Sequence, residues 1–189
     1  MMKLKPITIV ATLIIVVGGI YLFAQKNTSS STTDESITLQ DSKPTNIPEP
    51  SPSRPLKESE KFVGSMGLYV TLPEGMNFRQ DPATEHAVNF YIESGPQEKL
   101  TYQFYAIYQP NTNMAEKGLE QAKKEMDPKT IQEAVVSDYK GVEGLVTGPK
   151  GRYHTVVIKD DRLISFSTYP ATEENKVITE QILSTISFE

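Results

Sequence analysis

Two hydropathic patterns divide the chain. From Pro6 through Gln25, 20 residues, no charge occurs, and the run from Ile7 to Ala24 is almost continuously apolar. As a helix at about 1.5 Å per residue it spans about 30 Å, the thickness of a bilayer's hydrocarbon core. A cleaved signal peptide has a shorter apolar region and a small-x-small cleavage site. Here Leu22-Phe23-Ala24 puts a large residue at the outer of those two places. The expected element over 1–24 is an uncleaved signal-anchor transmembrane helix, with a secreted protein as the alternative if it is cut. Lys3 and Lys5 precede the span and Lys26 alone follows closely. The positive-inside rule then places the N-terminus in the cytoplasm and the rest outside, a single-pass protein of the cell membrane.

Residues 25–60 lose all periodicity. Asn27-Thr28-Ser29-Ser30-Ser31-Thr32-Thr33 is polar and repetitive, and Pro44, Pro48, Pro50, Pro52 and Pro55 follow. A segment this poor in apolar residues cannot offset its own ordering entropy. It reads as a Ser/Thr/Pro-rich linker, flexible first and stiffer toward its end.

Residues 61–189 regain pattern, now with two periods. Leu68-Tyr69-Val70-Thr71-Leu72 alternates as a strand and stops at Pro73-Glu74-Gly75. The runs 87–93 and 100–108 form a hairpin; Leu100, Tyr102, Phe104, Ala106 and Tyr108 share one face, Tyr105 and Ile107 the other. Over 114–126 the period lengthens. Ala115, Leu119, Ala122 and Met126 make one helical stripe, which Asn113 can cap and Asp127-Pro128 ends. Strands follow over 131–136, 142–147, 153–158 and 163–168, the last two joined by Lys159-Asp160-Asp161-Arg162, a tight turn whose type stays open. A second helix covers 173–186, capped by Thr172, with Ile178, Ile182, Leu183 and Ile186 on one side and Phe188 closing onto the core. Strands in runs joined by short loops imply an α+β domain: a mostly antiparallel sheet of six or seven strands flanked by two main helices.

The order of these elements resembles the PsbP/Mog1-like α/β/α sandwich, as in small secreted or anchored bacterial PsbP-like domains. The residues that carry the likeness are Leu72-Pro73-Glu74-Gly75-Met76, Gly141-Val142-Glu143-Gly144, the Asp-Asp hairpin and the closing stretch 178–188. The resemblance covers about 62–189. It implies an antiparallel sheet flanked by helices and a non-catalytic binding or assembly role. Partners in that family range from photosystem assembly to a small GTPase, so no site residue carries over.

Composition narrows the chemistry. Among 189 residues there is no cysteine, which excludes disulfides, thiolate nucleophiles, Cys-ligated metals and a lipidated N-terminal cysteine. A net charge of −5 argues against nucleic acid as partner. The only histidines are His86 and His154, too far apart and too isolated for a metal shell, and no cofactor motif appears. No serine sits in a Gly-x-Ser-x-Gly elbow; Ser165 and Ser167 read as a half-exposed strand face. Asp160-Asp161 and Glu173-Glu174 are explained by a turn and a helix start. Gly148-Pro149-Lys150-Gly151 reads as a turn, with Lys150 and Arg152 forming a small cationic tip. Phe90 and Phe104 belong in the core, whereas Tyr105 and Tyr108 are expected to reach a surface.

The candidate ligand or partner surface is therefore Tyr105, Tyr108, Lys150, Arg152 and His154, with no catalytic residue. The expected function is a membrane-anchored, extracytoplasmic, non-catalytic binding or assembly module that engages another envelope protein. The alternative is a small ligand-binding or hydrolytic domain with a pocket between helix and sheet, holding His154 or His86 beside a carboxylate.

Overall fold

Alternation governs the sheet. The computed structural model describes residues 49–84, 87–109 and 114–189. The expected membrane span, the linker up to residue 48, His86 and the Asn113 cap lie outside the described residues. Among those described, no helix is long and apolar enough to cross a membrane.

In chain order the elements are β1 (Glu60–Val63), β2 (Leu68–Thr71), β3 (Asn77–Gln80), β4 (Val88–Ser94), β5 (Tyr102–Tyr108), α1 (Ala115–Glu125), β6 (Gln132–Val136), β7 (Tyr139–Val146), β8 (Arg152–Lys159), β9 (Arg162–Tyr169), α2 (Glu173–Thr185) and β10 (Ser187–Phe188). Seven strands form one antiparallel sheet in the order β3-β4-β5-β9-β8-β7-β6. A small sheet, β1-β2-β10, stands apart. The fold is the expected α+β class. Strands β1, β3 and β10 add to the pattern read from the sequence.

Successive residues of a strand serve opposite faces. Val156 and Val157 are both fully buried, but in different clusters. On the front face, Val157 joins Phe90, Phe104, Ile164 and Phe166 beneath α2 and the small sheet. Phe78, Phe90, Phe104 and Phe166 form a ladder of rings with centroids 5.7, 6.1 and 5.8 Å apart. On the back face, Val156 packs with Val142, Val146, Ala122 and Met126 under α1. Gly144 makes room there, since a Cβ would lie 2.9 Å from Met126 Sδ.

Local signals fix the ends. Thr172 caps α2, its Oγ1 accepting from Asn175 N at 3.2 Å. Asp160 and Asp161 both adopt positive φ, 51° and 59°, the I′ pattern that matches strand twist. Aspartate thus fills a turn that glycine or asparagine would fill more easily.

Residues 49–59, expected to belong to the linker, are laid against the small sheet. Arg54 grips Glu60 with bonds of 2.7 and 2.8 Å and stacks over Tyr69 at 3.9 Å. Ser53 N donates to Glu189 Oε1 at 2.8 Å, and Tyr69 OH donates to the same oxygen at 2.5 Å.

Candidate functional site

The front face is unevenly filled. Under one side of α2 the large rings of Phe104 and Phe166 leave no space. Toward the β6 edge the corresponding front positions are Ala134 and Gly141, which face each other across β6 and β7. Small residues there leave a groove between α2 and strands β6–β8.

The groove has two lobes. One, of about 360 Å³, is bordered by Ile131, Leu145, Tyr153, Glu173 and Lys176. The other, of about 460 Å³, is bordered by Glu133, Ala134, Val136, Ser184 and Ile186. Glu143, Thr155, Glu180 and Leu183 line both and mark the centre. Register brings Glu143 of β7 beside Thr155 of β8.

The walls are tied by polar contacts. Gln132 Nε2 donates to Glu143 Oε1. Tyr153 OH donates to Glu173 Oε1 at 3.0 Å, and the Lys176 ammonium lies 5.8 Å from the Tyr153 ring. Partial burial and then the Glu173 carboxylate push the Tyr153 phenol up. Lys176 and Glu180 approach only to 3.9 Å. Beneath the helix, Thr179 Oγ1 donates to Asn175 O at 2.8 Å, while Tyr102 OH and Thr168 Oγ1 lie 3.0 and 2.5 Å away. One hydroxyl therefore has its donor and both acceptor positions used. Burial drives the Tyr102 phenol up to about 12.

Thr155 differs. It is 4% exposed, yet its hydroxyl makes no hydrogen bond among the described residues. It is also absent from the fully enclosed unpaired atoms, Asn89 Oδ1 and Arg152 Nε, so its oxygen is reached from the groove.

The five residues expected to form a surface are divided: Tyr105, Arg152 and His154 share the back face, where Ser167 lies between Tyr105 and His154, while Tyr108 is on the front. Tyr105 is half-buried on the back face, its ring 6.3 Å from that of Tyr91. Tyr108 was expected at a surface and is buried instead, because it shares the front face with Tyr102, Phe104 and Ala106. Its hydroxyl accepts from Arg162 Nη1 at 2.8 Å. Lys150 is exposed in its turn. Arg152 is half-buried and reaches Glu125 at 3.5 Å.

His154 borders the first lobe, but Tyr153 and Thr155 face it and the His154 ring turns to the back. There its Nδ1 lies 2.7 Å from Ser167 Oγ. Burial, then the Arg152 charge, hold its pKa down to about 4. Ser167 is 2% exposed rather than half-exposed, so this Ser–His pair does not open onto the groove. Among the described residues no three acidic or histidine side chains converge as a metal shell would require.

No family model matches the chain, and no curated protein matches it. A crystal structure of a protein from Bacteroides thetaiotaomicron VPI-5482, at 1.50 Å resolution, is similar at a TM-score of 0.38 and 11% identity, over 65% of this chain and 45% of that one. The chain thus spans less than half the length of that structure. At such distance the groove has to be read from its own residues.

Proposed function

We propose that the chain is a membrane-anchored binding or assembly module. An apolar helix over 7–24 holds it in the membrane, and the linker presents the domain outside. The domain then engages another envelope protein through the front groove. The observation that carries this reading is the groove itself, about 360 and 460 Å³ in two joined lobes, with a buried, unpaired hydroxyl at its centre. Ligand and peptide sites are characteristically concave, mostly apolar and furnished with a few placed polar groups. The resemblance to PsbP-like domains read from the sequence points to the same non-catalytic role.

A photo-crosslinking residue placed at Ser184, on the rim, should trap one protein in native membranes. The same residue at exposed Asn77, on the opposite sheet edge, should not. Equal labelling from both positions, or none from Ser184, would overturn the reading.

A further inference from the structure

We infer that the centre of the groove is a subsite for an alkylammonium group, the head of a lysine side chain or of a small amine. This deepens the proposed function and rests on the groove being the binding surface. Three observations converge. Glu143 and Glu180 line both lobes, and the second lobe has no basic residue on its wall. Thr155, 4% exposed and without a hydrogen-bond partner among the described residues, opens into the same point. Leu183 lies beside them, with Val136 and Ile186 further along.

The chemistry follows from what each group lacks. A carboxylate accepts hydrogen bonds and cannot donate, and a hydroxyl left unpaired in a buried position retains acceptor lone pairs. An ammonium brings three donors and no acceptor. It can address Glu143, Glu180 and Thr155 together while its alkyl stem lies on Leu183. A metal ion suits the site less, since no group of three acidic or histidine ligands converges there. An anion would meet two carboxylates. Lys129 and Lys176 border the first lobe only, and Lys176 approaches Glu180 no closer than 3.9 Å, so an incoming ammonium would share that carboxylate with it.

The full chain in nanodiscs, with labelled Leu and Thr methyl groups, tests this by NMR titration. The probes are Nα-acetyl-lysine methylamide, cadaverine and the uncharged Nα-acetyl-norleucine methylamide. Both amines should shift Leu183 and Thr155, and the norleucine compound should not. Tighter binding of the lysine compound assigns a protein side chain; tighter binding of cadaverine assigns a small amine.

Thr155→Val should weaken the amine about tenfold through loss of a charge-assisted hydrogen bond. The melting temperature should stay equal or rise, because the hydroxyl it removes is unpaired. Glu180→Gln should weaken binding comparably without a change of shape. Absence of shifts with either amine, equal shifts with norleucine, or undiminished binding in both variants would overturn the inference. Crosslinking from Ser184 separates the two failures: adducts without amine binding leave the groove as a docking surface of other chemistry.

Discussion

Thr179 shows how much one hydroxyl can hold. It receives or gives every hydrogen bond that it can, linking α2 to Tyr102 of β5 and Thr168 of β9. Thr179→Val keeps the volume but leaves two buried hydroxyls without their acceptor. Urea unfolding should report a loss of about 2–3 kcal/mol. Tyr102→Phe, which removes only one donor, should cost about 1 kcal/mol.

His154 carries a pH signature. The unfolded chain takes up its proton near pH 6.5, whereas the folded chain resists until about 4. The neutral ring therefore stabilises the fold above 6.5, and that stability drains away as pH falls from 6.5 to 4. His154→Gln has no such proton to take, so its urea midpoint should change less between those values. A variant as pH-sensitive as the parent would disprove this. Tyr108 teaches a different lesson. Its own alternation placed it with Tyr102, Phe104 and Ala106, and that period was a better guide than the polarity of its hydroxyl.

Among the elements, the nine read from their period were legible: strands β2 and β4 to β9, and both helices. Three strands were not. β3 carries one apolar residue, Phe78, between Asn77 and Arg79. β10 is two residues long. β1 begins with Glu60, a buried carboxylate that its charge alone would place outside, tolerated because Arg54 pairs with it. The groove was illegible for a related reason. Glu143, Thr155 and Glu180 come from two strands and a helix, and only the β7–β8 register and the seating of α2 join them.

That register depends on Gly141, where a Cβ would sit 1.8 Å from Val156 O. Gly141→Ala must therefore push β7 from β8, a loss of about 3 kcal/mol on thermal or urea unfolding. The Arg54–Glu60 clasp responds to acid. The Arg54 hydrogen bonds, then the Lys57 amide, lower the Glu60 carboxyl to about 2 from 4.5. The clasp is complete above 4.5 and is lost as pH falls toward 2. The Lys57 amide NMR signal should move through that interval, and Glu60→Gln should abolish the movement.

At the scale of the whole molecule, fold class was readable because 129 patterned residues supply enough apolar positions for two buried faces. Topology of the chain across a membrane is a matter for cells. External protease applied to intact cells should remove an epitope placed in the Lys150 turn, and a protected epitope would refute the proposed orientation.

The segment 49–59 has a mechanical consequence. A pull applied through residue 49 does not reach β1 first. It meets Glu49 itself, whose carboxylate accepts from Gln80 Nε2 of β3 at 2.6 Å, then Ser53, held by Glu189, and then Arg54, held by Glu60. Glu189 follows β10, and β10 pairs with β2. Tension is thus shared between the first and last strands of the domain and is resisted by shear across the small sheet. In a force-extension experiment the clasp should yield as a separate, small event, and Glu60→Gln should erase it.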